Sequence, residues 1–172
     1  GINTYEHLDQ TLREGGCIEI ARRFQRQGRI GHIGFSTHGP PDLIVNCIES
    51  NQFDYVNLHW YFIFQDNELA LDAANRFDLG VFIISPTDKG GHLHTPSKKM
   101  VELCSPLHPI IFNDIFCLRD HRVHTISIGA ASSNDLDLHL EAVSLLGKWK
   151  DLLPPVESRL IQAAISSLGQ DW

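Results

Sequence analysis

Four apolar runs along the chain, each bounded by turn residues, constrain the fold more than any other feature. They span residues 30–36, 55–64, 81–85 and 123–129. Each run is rich in Val, Ile and aromatic residues, and apolar and polar positions hardly alternate within it. This pattern is typical of strands that are buried on both faces of a parallel sheet. The sequence therefore predicts four parallel strands.

Segments with helical periodicity separate these runs. They cover residues 5–27, with a break at Gly15-Gly16, and residues 43–48, 68–79 and 136–146. Asp66 or Asn67 is expected to cap the third of these helices, and Ser133 or Asn134 the fourth. Gly80 is expected to end the third. Alternating helices and strands of this kind are typical of parallel α/β sheets, open or closed.

The C-terminal part of the chain has a weaker pattern. Leu-Leu-Pro-Pro at residues 152–155 predicts a turn, and residues 156–168 predict a last helix. We interpret residues 147–172 as an extra C-terminal helical segment of a single domain that covers residues 1–172.

Composition excludes several classes of function. The chain has 14 Lys and Arg against 21 Asp and Glu, for a formal charge of -7, and it lacks the basic cluster that a nucleic-acid surface needs. No apolar run approaches the roughly 20 residues of a membrane span, and the first residues do not resemble a signal peptide. The four Cys are too far apart in sequence for a typical zinc site, so we expect reduced, mostly buried thiols and a cytoplasmic protein.

Motifs at the predicted strands resemble the second half of an aldo/keto reductase. Gly-Arg-Ile-Gly-His-Ile-Gly-Phe-Ser at residues 28–36 resembles the family's Gly-Lys-Ile-Arg-x-Ile-Gly-Val-Ser strand. Residues 80–91 resemble Gly-Val-x-x-x-Ser-Pro-Leu-x-x-Gly, and Ile-Gly-Ala at residues 128–130 resembles the last strand before the cofactor helix. The matches come in family order and span about residues 1–146.

The resemblance implies a fold and an activity. Aldo/keto reductases are (β/α)8 barrels that reduce an aldehyde or ketone by hydride transfer from NADPH. A full barrel needs eight strands and about 250 residues, whereas four strands are predicted here. We therefore expect a partial (β/α)8 TIM barrel, the carboxyl-side half, and interpret the chain as a fragment. The rest of the barrel or a homodimer partner is expected to cover its strand edges.

The resemblance also implies cofactor-binding residues. Ser36 and Asn57 match positions that hydrogen-bond the nicotinamide carboxamide, a task that suits an amide because it both donates and accepts. Ser85 and the backbone through Lys89 match the loop that passes the pyrophosphate. The last loop and the helix start that face the adenosine phosphate correspond to Gly129, Ala130, Ala131, Ser132 and Asp135.

Departures from the family pattern leave two matters open. Thr37 replaces an Asn, Ile84 stands where many relatives have a stacking Tyr, and His139 takes a position often held by Asn. No Arg between Ser132 and His139 is available for a 2′-phosphate, so NADP is expected but NAD is not excluded. The family's catalytic Asp, Tyr, Lys and His come from earlier strands, and no residue here is assigned a catalytic role.

Other interpretations stay open from the sequence. The first alternative is a catalytically inactive half-barrel that binds a nucleotide or a partner subunit. A second is an open doubly wound sheet, although the Gly-rich turn after the first strand that would mark it is absent. His92 and His94 are expected to be exposed loop residues rather than metal ligands, and His59 a partly buried, hydrogen-bonded residue. Asp88 and Lys89 are expected to form an ion pair or to adjoin a phosphate.

Overall fold

Residues 1–89, 91–130 and 132–170 are described by the structure, a computed structural model. The helices and strands follow in the order α1 Tyr5–Leu12, α2 Cys17–Arg26, β1 Gly34–Ser36, α3 Pro41–Glu49, β2 Tyr55–Leu58, α4 Glu68–Arg76, β3 Gly80–Ile84, α5 Lys98–Cys104, α6 Pro109–Leu118, β4 Thr125–Ser127, α7 Asp135–Leu145 and α8 Trp149–Leu168. Short 3-10 helices lie at His92–His94 and Leu146–Lys148.

The four strands form one sheet in the order β1-β2-β3-β4. β1 pairs with β2 and β2 with β3 in parallel, so Ser36 lies opposite Asn57, and Tyr55 lies between Gly34 and Gly80. The predicted class, α/β with four parallel strands, is confirmed. A Cβ built on Gly34 would come within 2.4 Å of the Tyr55 ring. Glycine at position 34 therefore leaves room for that ring.

The chain divides into two compact units. The first unit contains Gly1–Ile84 and His121–Thr125, and the second contains Ser85–Asp120 and the residues from Ile126 onward. The first unit thus holds α1 to α4 with β1 to β3. The second holds the loop after β3 and α5 to α8.

The core of the first unit lies on one face of its strands. Val56, Leu58, Val81 and Ile83 are buried, whereas their neighbours on the opposite face keep partial exposure. The expectation of strands buried on both faces is therefore met on one face only. The predicted apolar face of α3 is confirmed, because its four members are buried: Leu43, Ile44, Cys47 and Ile48.

The second unit is built around α6. Every residue from Pro109 to Cys117 is buried, as expected for a helix surrounded by other elements. Arg119, just after α6, forms a salt bridge of 2.5 Å with Glu157 of α8. The Arg159 guanidinium of α8 donates to the backbone oxygen of Leu103 at 2.9 Å, which fixes α5 as well.

Three strands are shorter than the sequence predicts. β1 begins at Gly34 rather than at residue 30, β2 ends at Leu58 rather than at residue 64, and β4 spans only Thr125–Ser127. The apolar residues outside the strands are still used for packing. Trp60, Tyr61 and Phe62 are buried in a turn that backbone hydrogen bonds between Tyr61 and Phe64 close. A prediction from apolar runs alone therefore overestimates the length of these strands, because apolar residues outside the sheet are buried too.

The prediction of a turn at residues 152–155 is wrong. Pro154 and Pro155 lie inside α8, although proline removes a backbone donor and costs about 3 kcal/mol in a helix interior. Leu153, Val156 and Leu160 are buried on one side of α8. We attribute the continuous helix to this packing, which outweighs the local preference of the two prolines.

Helix boundaries elsewhere follow the sequence closely. The break at Gly15-Gly16 separates α1 from α2, and Gly28 has the positive φ, 69°, of a residue that ends a helix. Asn67 precedes α4 but makes no capping bond, since its amide donates instead to the backbone oxygen of His59 at 2.8 Å. Between β3 and β4 the chain forms two helices, α5 and α6, in a region to which the sequence pattern assigned no helical segment.

Among the described residues, no single helix has both the length and the hydropathy that crossing a membrane requires. α5 and α6 reach those values only when they are taken together as a bent pair.

Candidate functional site

A cavity of about 480 Å³ lies in the first unit beside β1. Its polar side includes Ser36 and Asn57, which the sequence predicted as cofactor contacts. The two are register partners in β1 and β2, so they project from the same face of the sheet. The other lining residues come mainly from α1, α2 and the strands, and are Gly1, Ile2, Thr11, Cys17, Ile18, Ala21, Ile33, Gly34, Phe35, Phe53 and Tyr55.

The Asn57 side chain has an unused hydrogen-bonding atom. Its Oδ1 is buried and makes no hydrogen bond to any described residue. A buried polar atom without a partner costs about 1–3 kcal/mol, and such atoms usually meet water or a ligand. Asn57 also lines the cavity, and an acceptor of this kind suits an N–H donor.

Thr37 has a structural role that its place in the sequence did not reveal. Its hydroxyl donates to the backbone oxygen of Ile2 at 2.7 Å and accepts from the amide of Gly39 at 2.9 Å. The amide of Ile2 donates in turn to the backbone oxygen of Ser36 at 2.9 Å. Thr37, buried to 3% exposure, thus fixes the first residues of the chain against the end of β1.

Two histidines that follow β1 and β2 form a pair that sequence reasoning missed. His59 Nε2 lies 3.1 Å from His38 Nδ1, and the ring centroids are 4.9 Å apart. Each histidine comes two residues after a member of the Ser36–Asn57 register pair, so parallel pairing places them side by side. The sequence signal for this pair was therefore the equal spacing of two residues, from Ser36 to His38 and from Asn57 to His59. His59 itself is buried and hydrogen-bonded, as expected.

The loop after β3 belongs to the second unit and carries Ser85 and Lys89. Ser85 and Asp88 have positive φ angles of 56° and 62°, which are unusual for residues other than glycine. Gly91 has a φ of 74°, while Gly90 lies outside the described residues. The Asp88 carboxylate accepts from the Lys89 amide at 2.7 Å. Lys89 is exposed at the protein surface.

The start of α7 places Ser132 and Asp135 together. The Asp135 carboxylate accepts from the Ser132 amide at 3.0 Å and from its hydroxyl at 3.1 Å. Asn134, expected as a capping residue, makes no capping bond. Gly129 is exposed, and a Cβ built on it would have no neighbour within 4 Å. Ala131, predicted in the same loop, lies outside the described residues.

A buried acid–base pair in the second unit is the other feature that the sequence did not indicate. His139 Nδ1 of α7 is hydrogen-bonded to Asp114 Oδ2 of α6, and the two residues are 5% and 0% exposed. Burial raises the pKa of Asp114 to about 6, and the hydrogen bond from His139 opposes this rise. The residues are 25 positions apart, and no spacing rule joins them.

The histidines near this pair are only partly as expected. His92 is exposed, whereas the ring of His94 is half-buried and meets the His139 ring edge-on at a centroid distance of 6.5 Å. Within residues 1–89, 91–130 and 132–170, no group of three or more His, Cys, Asp or Glu side chains is placed to hold a metal ion.

Tyr5 illustrates why a tyrosine in this chain is a poor proton donor. Its hydroxyl donates to the Asp42 carboxylate at 2.6 Å on the protein surface. This hydrogen bond raises the pKa of Tyr5 and lowers the pKa of Asp42. A general acid works best when its pKa lies near the working pH. The contact with Asp42 raises the pKa of Tyr5 and so moves it further from that pH.

Comparison with known proteins supports the fold. No protein-family model matches the sequence, and no curated protein matches it. A solved structure of similar fold is the aldo-keto reductase AKR11C1 from Bacillus halodurans in its holo form, with a TM-score of 0.64 at 15% sequence identity. The match covers 82% of this chain and 54% of that reductase, so the chain spans about half of its length. The chain therefore has the fold of a partial (β/α)8 barrel, like the corresponding part of that reductase.

Proposed function

We propose that the chain is part of a nicotinamide-nucleotide-dependent oxidoreductase of the aldo/keto reductase type, which reduces an aldehyde or ketone. Its contribution is part of the cofactor site. Asn57 carries this proposal, because it lines a cavity together with Ser36 and its Oδ1 makes no hydrogen bond to any described residue. Strand ends of this kind are where barrel enzymes bind their ligands.

The chemistry of Ser36 and Asn57 fits a nicotinamide carboxamide. Asn57 Oδ1 is an acceptor without a partner, so it suits an amide N–H. The hydroxyl of Ser36, its register partner, both donates and accepts. When bound, the nicotinamide ring supplies the hydride. The task of these two side chains is to orient that ring and to exclude water from its amide.

Residues of the second unit, taken by themselves, suit the phosphates and the adenosine of a nucleotide. Ser85 and Lys89 lie on a loop whose positive φ angles turn the backbone sharply. The exposed Lys89 ammonium is the cation that would meet a pyrophosphate. Ser132, Asp135 and the exposed Gly129 lie at the start of α7, where the Ser132 amide already donates to the Asp135 carboxylate, so this segment suits the uncharged adenosine rather than a phosphate.

The start of α7 favours NAD over NADP. Asp135 and Asp137 lie in its first turn, and residues 128–147 contain no Lys or Arg. A 2′-phosphate here would meet like charge, whereas a ribose 2′-hydroxyl can donate to a carboxylate. This proposal reverses the first expectation of NADP, and it predicts that NADH binds more tightly than NADPH. Exchange of Asp135 for Asn should reduce the difference in affinity between NADH and NADPH.

Titration of the 172-residue chain with NADH and NADPH, followed by nucleotide fluorescence, tests the proposal. We expect binding, with Asn57→Ala weakening the affinity about tenfold, the equivalent of one lost hydrogen bond. Asn75→Ala, at an exposed position of α4, is the matched control and should bind like the wild type. Absence of binding by both nucleotides would overturn the cofactor assignment.

A second candidate is a catalytically inactive half-barrel that binds a nucleotide or a partner subunit. An apolar stripe on α7 favours it, since Leu136, Leu140 and Val143 are 41%, 67% and 60% exposed. Their spacing places them on one side of the helix, and exposed apolar patches often mark protein interfaces.

Sedimentation velocity separates the two candidates. A self-associating half-barrel predicts a dimer that Leu140→Lys converts to a monomer. Ile63→Lys, at an apolar residue that is 51% exposed in the first unit, is the control and should leave the dimer intact. A wild-type chain that sediments as a monomer at all concentrations would exclude self-association through this stripe.

A further inference from the structure

α6 is an apolar helix that is buried from Pro109 to Cys117. Two polar side chains lie next to each other at its centre, the amide of Asn113 and the carboxylate of Asp114. Asn113 and Asp114 are 4% and 0% exposed. The Asn113 amide donates to the backbone oxygen of Pro86, in the loop after β3. Asp114 accepts the hydrogen bond from His139 of α7. Neighbouring residues of α6 thus contact the loop and α7 separately.

Burying the pair of Asp114 and His139 costs more free energy than a purely structural contact would require. Asp114 Oδ1 and His139 Nε2 are both buried, and neither has a hydrogen-bond partner among the described residues. Half-satisfied buried polar pairs are often less stable than apolar residues of similar volume. Stability alone therefore does not explain this pair, although its geometry is specific: with Asp114 ionised, the proton lies on Nδ1 and the tautomer of His139 is set.

Further contacts connect the loop after β3 with α7. The amide of Leu93 donates to the backbone oxygen of Thr87 at 3.0 Å, which joins the 3-10 helix to the loop after β3. His94 of that 3-10 helix meets the His139 ring. Ser132 and Asp135 lie about one to two turns before His139 in the chain. A continuous series of contacts therefore runs from the loop through α6 to His139, about one turn after the start of α7.

We propose that Asp114 and His139 are positioning residues that hold the first turn of α7 in place relative to the loop after β3. The inference rests on the proposed function, because these two segments are the ones assigned to the phosphates and adenosine. The pair contacts no cofactor atom itself. Its hydrogen bond fixes the rotation of α7, and so the direction in which Ser132 and Asp135 point.

The decisive variant is the double substitution Asp114→Leu/His139→Phe. It replaces the pair with apolar side chains of similar size, so we expect the global stability to be unchanged or higher. We nevertheless expect the amides of residues 132–138 to exchange with solvent about tenfold faster. A purely structural pair predicts exchange at the wild-type rate or slower. Ile115→Val, one position along α6, is the control and should affect neither segment selectively.

Nucleotide titration of the same variants is the second measurement. If the wild type binds NADH, the double variant should bind about tenfold more weakly while remaining as stable. If the wild type binds no nucleotide, the proposed function fails, and hydrogen exchange alone decides whether the pair positions α7. Wild-type exchange rates at residues 132–138 in a folded double variant would overturn the positioning role.

Discussion

The two units use buried polar groups in different ways. In the first unit, Asn57 lines a cavity beside β1, and its amide oxygen makes no hydrogen bond to any described residue. In the second unit, Asp114 and His139 are enclosed between two helices. The first arrangement is open to a ligand, whereas the second can act on one only through the elements that it holds. The difference separates residues that bind from residues that position.

Truncation of the two cores is expected to have the largest effect. Leu43 of the first unit and Ile115 of the second are both 0% exposed. Exchange of either for Ala should lower the free energy of unfolding by about 2–5 kcal/mol, because it removes buried methyl groups and leaves a cavity. Denaturant unfolding measures the loss. Hydrogen exchange then shows whether each variant loosens its own unit or both.

The control for this pair is Leu69→Ala, at a residue that is 66% exposed on α4. It should change the unfolding free energy by less than about 0.5 kcal/mol. Leu43→Ala and Ile115→Ala could instead accelerate amide hydrogen exchange equally throughout the chain. The two units would then unfold as one cooperative structure, and they would not differ in local stability.

The pH dependence of stability tests the enclosed pair. The carboxyl of an unperturbed aspartate has a pKa of 3.8, and burial raises the pKa of Asp114 to about 6 in the folded chain. Because the folded chain binds this proton more tightly than the unfolded chain, the carboxyl makes its full favourable contribution to stability below about pH 4. That contribution is lost as the pH rises through about 6. Asp114→Asn cannot ionise, yet it keeps an acceptor oxygen for His139. Relative to wild type, this variant should gain stability between pH 4 and pH 7, by at most about 3 kcal/mol.

Unfolding of both proteins in urea at several pH values measures this gain. Ile115→Val, which adds and removes no titrating group, should differ from wild type by the same amount at every pH. A difference between Asp114→Asn and wild type that stays constant from pH 4 to pH 7 would show that Asp114 titrates alike in the folded and unfolded chains.

The close approach of β1 and β2 is the next test. A Cβ at Gly34 would lie 2.4 Å from the Tyr55 ring, whereas a Cβ at Gly147 would meet nothing within 4 Å. Gly34→Ala should therefore destabilise the chain by about 1–3 kcal/mol through overpacking. Gly147→Ala should be neutral or slightly stabilising. Equal stability of the two variants would mean that the Tyr55 ring moves aside without cost.

Sequence patterns carry more information about where Ser36 and Asn57 lie than about the contact of Asp114 with His139. Ser36 and Asn57 lie within the apolar runs 30–36 and 55–64, and local patterns define where such runs are. Parallel pairing then brings them together. The contact of Asp114 with His139 depends instead on how α6 packs against α7, and residues 25 positions apart carry no local signal of it. The prolines of α8 likewise obey packing rather than local preference.

The cysteines offer the finest test of the two units, because thiol reactivity reports local opening. Cys17 is exposed, while Cys47 of the first unit and Cys104 and Cys117 of the second are buried. Burial raises the pKa of Cys47 and of Cys104 to about 11 and raises that of Cys117 as well. Because the thiolate is the reactive form, an aromatic disulfide reagent at pH 8 should modify one thiol rapidly in the folded chain and all four after denaturation.

Cys17→Ser is the matched variant, and it should abolish the rapid phase without altering the slow one. Mass spectrometry of the slowly modified chain then identifies which buried cysteine reacts first. Earlier modification of Cys104 or Cys117 than of Cys47 would mean that the second unit opens more often, despite its fully buried α6. The reverse order is expected if the strand ends beside the cavity are the more mobile region, since an open cavity leaves fewer contacts to break there.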